Sequence, residues 1–176
     1  MYPPIRFCGR QTLWLTQYGL DILMKKEQFK YVTQLRVRSY EVDWQGIVHN
    51  TNYLRFFEVG RIEYLKHIGA TVNMKTIQGD GKVVLVRNEI DYESPAFFDE
   101  LLNVHTRISL IKNSSFVMEG LMEKSSGGQI VSHNLAYHVW LDPNTNRPKM
   151  IGDEFRMLVQ KFEGEDCQII WPSLEV

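Results

Sequence analysis

The spacing of apolar residues changes twice along this chain, and the two changes leave few folds to choose from. From Phe29 the period is two: Phe29, Tyr31, Leu35 and Val37 alternate with Lys30, Gln34, Arg36 and Arg38, as in a half-buried strand. After Asn50 the intervals lengthen, so that Tyr53, Phe56, Phe57, Gly60, Tyr64 and Ile68 share one helical face while Arg55, Glu58, Glu63 and Lys66 lie on others. Gly69 can end this helix. Its apolar face is so aromatic that it predicts a core helix wrapped by a sheet. Period two then returns. Residues 83–92 read as a strand closed by Ser94-Pro95, and Leu102, Val104, Thr106, Ile108 and Leu110 alternate with Asn103, His105, Arg107 and Ser109. Lys112-Asn113-Ser114 turns the chain into a strand over 116–123, and Ser125-Ser126-Gly127-Gly128 turns it again into 130–141. A last helix follows, with Phe155, Leu158, Val159 and Phe162 as its stripe and Asp153 capping or favouring its start. One strand, a long helix, four strands joined largely by hairpins and a helix make an α+β domain, an antiparallel sheet around a central helix.

With 176 residues, 44% hydrophobic and 23% charged, the chain holds one globular domain with a real core. The domain is expected over 27–165, between an appendage at 1–26 and a C-terminal tail at 166–176. A formal net charge of -1 gives no reason to expect nucleic acid as a partner. Cys8 and Cys167 match no metal or redox spacing and read as reduced thiols in the cytosol. No apolar run is long enough to cross a bilayer and residues 1–24 lack the pattern of a secretion signal, so a cytoplasmic protein without membrane insertion is expected.

Chemistry concentrates in DWQGIVHNTNY, residues 43–53: an acid leaving the first strand, a glycine turn and an asparagine-rich helix start. A thioester carbonyl is already activated, and its leaving thiol has a pKa of about 8.5, so departure needs little help. One carboxylate therefore suffices, attacking the carbonyl or activating a water. Unpaired amides at the start of a helix, aided by its dipole, can hold the oxyanion. Each feature has a plainer reading. Aspartates before glycine turns are mostly turn residues, and Asn50, Thr51 or Asn52 can simply cap the helix.

YEVDWQGIVHNTNYLRFFEVGRIEYL, residues 40–65, resembles the signature of the hotdog-fold acyl-CoA thioesterases of the 4-hydroxybenzoyl-CoA thioesterase type. Asp43, Gly46, Val48, His49-Asn50 and Tyr53 match without a gap, and Glu58 and Arg61 match the acidic and basic pair within the helix. Counting strand order, the likeness covers 29–162. It implies a hotdog fold, an acyl-CoA substrate, no metal and no cofactor beyond the coenzyme A of the substrate itself. It also implies a homodimer whose sheets join edge to edge, or a homotetramer of two such dimers.

Asp43 is then the indispensable side chain and Asn50 the backbone of the oxyanion site. Lys112, Asn113, Ser114 and Ser115 stand where the family's loop meets the nucleotide end of the ligand, although by themselves they are a polar hairpin turn. His49 either orients substrate or packs against the turn. Trp44 and Tyr53 are assigned to the pocket wall, while the rest of the aromatic stripe, Phe57 included, belongs to the core. Glu58, spaced to Arg55 and Arg61, is given an ion-pair role.

Other motifs fail. There is no G-x-S-x-G elbow and no H-E-x-x-H, and Gly79-Asp80-Gly81-Lys82 lacks the spacing of a phosphate loop. His133 and His138 fall on opposite faces of one strand and make no metal pair. Two rivals remain open: a hotdog hydratase or dehydratase, and an acyl-CoA-binding protein without activity.

Overall fold

The computed structural model describes residues 25–74, 76–79 and 81–171. Cys8, Asp80 and nearly all of the expected appendage, together with the end of the C-terminal tail, lie outside these residues. The alternation after Phe29 forms β1 (Tyr31–Arg36) and the helical stretch forms α1 (Asn50–His67). Four long strands follow, β2 (Lys82–Tyr92), β3 (Leu101–Ile111), β4 (Ser115–Lys124) and β5 (Ile130–Leu141), then α2 (Asp153–Glu163). A short β6 (Gln168–Ile169), which no sequence pattern announced, pairs parallel to β3.

The sheet order is β1-β3-β4-β5-β2, each neighbour antiparallel to the next. α1 thus leaves one edge strand and returns to the other, which obliges it to cross the sheet, and its aromatic face is buried there. The approach is close enough to require glycine on both sides. A Cβ on Gly60 would sit 2.8 Å from Val104 Cγ1 and Thr106 Oγ1, and one on Gly120 would sit 2.5 Å from the Phe57 ring. Tyr53, Phe56 and Phe57 pack with Val104 and Met122 at one end of the helix, and Tyr64, Leu65 and Ile68 pack with Ile108 and Met118 at the other. α2 closes that second end, where Phe155 lies 5.0 Å from Trp140 and 5.6 Å from Phe116 between ring centroids. The cap of α2 is Gly152 with no side-chain bond, so Asp153 acts through the helix dipole and does not cap.

The far face of the sheet departs from the expected polar alternation. His105, Arg107, Glu119 and Glu123 point away from α1 yet are all buried. They form cross-strand pairs: Arg107 Nε donates to Glu119 at 2.7 Å, and Glu123 accepts from Lys26 Nζ at 2.6 Å and meets His105 Nε2 at 3.1 Å. The Phe29 ring covers Arg107 at 5.5 Å.

On the α1 face His138 stacks flat on Phe116, 4.8 Å away, with its Nδ1 unpartnered. Burial, and then the charge of Arg61, push its pKa down to about 4. Its folded pKa lies below the unfolded value, so its contribution to stability is complete above about pH 6.5 and is lost as pH falls from there towards 4. The loss amounts to about 2–3 kcal/mol, and His133, lowered by burial as well, adds in the same direction. Urea titrations from pH 7 to pH 4 should show this slope, and His138→Phe should flatten it.

Candidate active site

β1 does not itself deliver Asp43. After Arg36 the chain makes a 3-10 turn at Ser39–Glu41 and then a small hairpin that runs straight into α1. In this hairpin Val42 bridges Val48, the Asp43 amide donates to the Ile47 carbonyl at 2.8 Å, and the His49 amide donates to the Glu41 carbonyl at 2.9 Å. Gly46 closes the turn at φ +78°, a conformation that glycine adopts without strain. Acid and helix start are therefore neighbours because they occupy two arms of one local structure.

Asp43 is half-buried; its Oδ1 accepts the Gln45 amide at 2.8 Å, and no cation lies within ion-pair distance of it among the described residues. One carboxylate oxygen is thus held, and the other has no partner among the described residues. At the helix start the side chain that caps is His49, whose Nδ1 accepts the Thr51 amide at 3.3 Å, with Asn50 Oδ1 accepting the same amide at 3.0 Å. His49 is packed on the turn, and Asn52 is a tether, donating to the Glu41 carbonyl at 2.8 Å. The Thr51 and Asn52 amides already have acceptors, whereas the Asn50 amide has none among the described residues. It stands where the helix dipole is most positive.

Tyr53 is 4% exposed and accepts the Ala96 amide at its hydroxyl, 3.3 Å away. Burial raises its phenol pKa, and the charge of Asp43 is close enough to raise it further. Tyr92, which the sequence did not single out, ends β2 beside this site: its hydroxyl donates to the Asn50 carbonyl at 3.2 Å and its ring lies 5.3 Å from that of Tyr53. Trp44, at the hairpin tip, is 92% exposed and so is not enclosed as a pocket wall by the described residues. Glu58 is exposed and influences Arg61 through charge alone, while Arg55 bonds to Asn52, so the expected helix-surface ion pair does not form.

The turn Lys112 to Ser115 lies elsewhere. Asp43 is near the start of β3 and this turn follows its end, so the 11 residues of β3 separate them by roughly 35 Å. Within one chain the two parts of the predicted site are not brought together. One hollow between helix and sheet is small. The hollow lined by Phe57, Arg61, Thr106, Met118, Gly120 and Asn134 is too tight for a water molecule. Among the described residues no three His, Cys, Asp or Glu side chains cluster as metal ligands, and no helix is long and apolar enough to cross a membrane.

A central helix packed on an antiparallel sheet of this order is the hotdog fold. The chain belongs to the thioesterase superfamily, whose sequence model matches residues 45–131, just beyond Asp43. A protein of Aquifex aeolicus carrying an esterase name is 33% identical over 94 residues, 53% of this chain and 73% of its own length. The long-chain acyl-CoA thioesterase FadM of Escherichia coli is 27% identical over 124 residues, 70% of this chain and 92% of that protein. Among solved structures, a thioesterase of Thermus thermophilus complexed with coenzyme A and zinc superposes with a TM-score of 0.68 at 26% identity, covering 79% of this chain and 98% of that one.

Proposed function

We propose that the protein hydrolyses an acyl-CoA thioester to a carboxylic acid and free coenzyme A, in the cytoplasm, with Asp43 as its reactive carboxylate. The observation that supports this reading is the hairpin over 41–50, whose two arms carry Asp43, with one carboxylate oxygen unbonded, and the start of α1, with the Asn50 amide unbonded among the described residues. With the thioester oxygen directed to the Asn50 amide, carbon becomes the electrophile and Asp43 either bonds to it or takes the proton of an attacking water. The carbon–sulfur bond then breaks and the thiolate leaves unaided; where Asp43 has bonded to the carbon, water then cleaves the mixed anhydride, releasing the acid and restoring the carboxylate. Tyr53 and Tyr92 form the wall beside the carbonyl. The names of relatives such as FadM support coenzyme A as the carrier. Purified protein offered aromatic and aliphatic acyl-CoAs of graded size should release free thiol from at least one of them. Tight coenzyme A binding with no thiol release from any would replace the enzyme by a binding protein.

The separation of Lys112–Ser115 from Asp43 has a geometrical remedy in a second copy. β2 is an edge strand with Leu85 45% and Val86 59% exposed; it runs from the Lys112 end of the sheet at Lys82 to the Asp43 end at Tyr92. Antiparallel pairing of β2 with its own copy brings one chain's Lys112 turn to the side of the other's Asp43, and puts the exposed Trp44 within reach of a partner. Val86→Lys places two like charges in that seam. Light scattering should then find monomer, and hydrolysis should fall about a hundredfold, the scale of a displaced binding group. A fully active monomer would overturn the shared site.

A further inference from the structure

Arg156 of α2 is fully buried, and among the described residues no carboxylate accepts a hydrogen bond from it. Its guanidinium is spent on backbone carbonyls: Nε on Ile151 at 3.0 Å, Nη1 on Ile170 at 2.8 Å, and Nη2 on Lys112 at 2.8 Å and Asn113 at 3.0 Å. The Trp171 ring covers it at 5.9 Å. A planar fork of donors can join three separate stretches of chain in this way, and no other side chain has one.

A buried guanidinium with no carboxylate bonded to it is costly, and Asp153 acts on it through charge alone. The β3–β4 turn does not need one in order to close, because the Lys112 amide already reaches the Ser115 carbonyl at 2.7 Å, and the Ile151 amide donates to the Asn113 carbonyl at 2.9 Å. What the guanidinium adds is orientation. With both carbonyls of the turn pinned inward, the side chains of Lys112 and Asn113 are exposed and, among the described residues, bonded to nothing.

We propose that Arg156 is a positioning residue for substrate: by holding the Lys112 and Asn113 carbonyls it presents the free ammonium and amide of the turn to the phosphates of the nucleotide part of an acyl-CoA. This rests on the reading of the protein as an acyl-CoA thioesterase. Arg156 touches no reacting atom, so its effect belongs in KM and in the part of the ligand remote from the thioester.

The test compares an acyl-CoA with the same acyl group on N-acetylcysteamine, which has the thioester but no phosphate. Wild type should favour the CoA thioester. Arg156→Lys keeps the charge but cannot span four carbonyls; KM for acyl-CoA should rise about tenfold, the scale of a single charge-assisted hydrogen bond, while kcat and the truncated thioester change little. Equal losses on both thioesters, or none on either, would overturn the proposal. Wild type that cleaves neither removes the thioesterase reading first and this inference with it. If Arg156→Lys does not fold, Lys112→Ala, at an exposed side chain, decides: KM for acyl-CoA should rise about tenfold with the truncated thioester unmoved, and an unchanged KM for acyl-CoA would overturn the proposal.

Discussion

Asp43→Asn should fold and melt like wild type yet lose about a thousandfold in kcat, the range expected when a positioned acid or base is removed. Asparagine keeps the side-chain oxygen that receives the Gln45 amide, so the hairpin retains its local bond. The position loses only the negative charge, and with it the capacity to attack the carbonyl or to accept a proton from water. KM should change little if, as proposed, the carboxylate meets only the reacting carbonyl. Circular dichroism and thermal melting establish the fold, and thiol release measures the rate. Near-normal turnover by folded Asp43→Asn across the acyl-CoA panel would remove Asp43 from the chemistry; Asp43→Ala guards against regeneration of aspartate by deamidation.

Arg107→Met should be the most damaging single change on the far face of the sheet. Glu119 has a fully buried side chain whose only bond among the described residues comes from Arg107 Nε at 2.7 Å, its other oxygen being unpartnered. Removing the arginine leaves a buried, uncompensated carboxylate and should cost about 3–5 kcal/mol. For a chain of this size the melting midpoint should drop by about 10 °C. The deficit should shrink as the pH is lowered, because protonation relieves the stranded charge. Arg107→Met combined with Glu119→Met should recover most of the loss, since neither charge then remains. A single variant within about 1 kcal/mol of wild type, on the scale of an exposed pair, would mean that the pair is solvated.

The elements most legible in the sequence were those whose period runs long and whose ends are marked. α1 begins at Asn50 as read, with Gly69 at φ +89° just past its end, and β5 occupies the predicted Ile130–Leu141. Burial on the far side of β3 was not legible. Arg107 and His105 look like the solvated half of an alternating strand, and their partners Glu119 and Glu123 become visible only when the register of β3 against β4 is known. β6 is two residues long and leaves no periodic trace. The hairpin over 41–50 was readable because its acid and its helix start are close in sequence; that His49 caps in place of Asn50, Thr51 or Asn52 was not, because a ring nitrogen as cap acceptor has no signature in spacing. Tyr92 escaped for a different reason. Its bond to the start of α1 joins residues 42 apart in sequence, and no spacing announces it.

Gly60 and Gly120 let the long helix lie directly on the strands, the Phe57 ring over the main chain of β4 and Val104 against the main chain of α1, with no side chain interposed. On the proposed reading, selection for the length or bulk of an acyl tail falls to side chains along the outer margin of β2 and to whatever surface is pressed against them. Altering which acids the protein releases is a matter of recarving that margin while leaving both glycines alone.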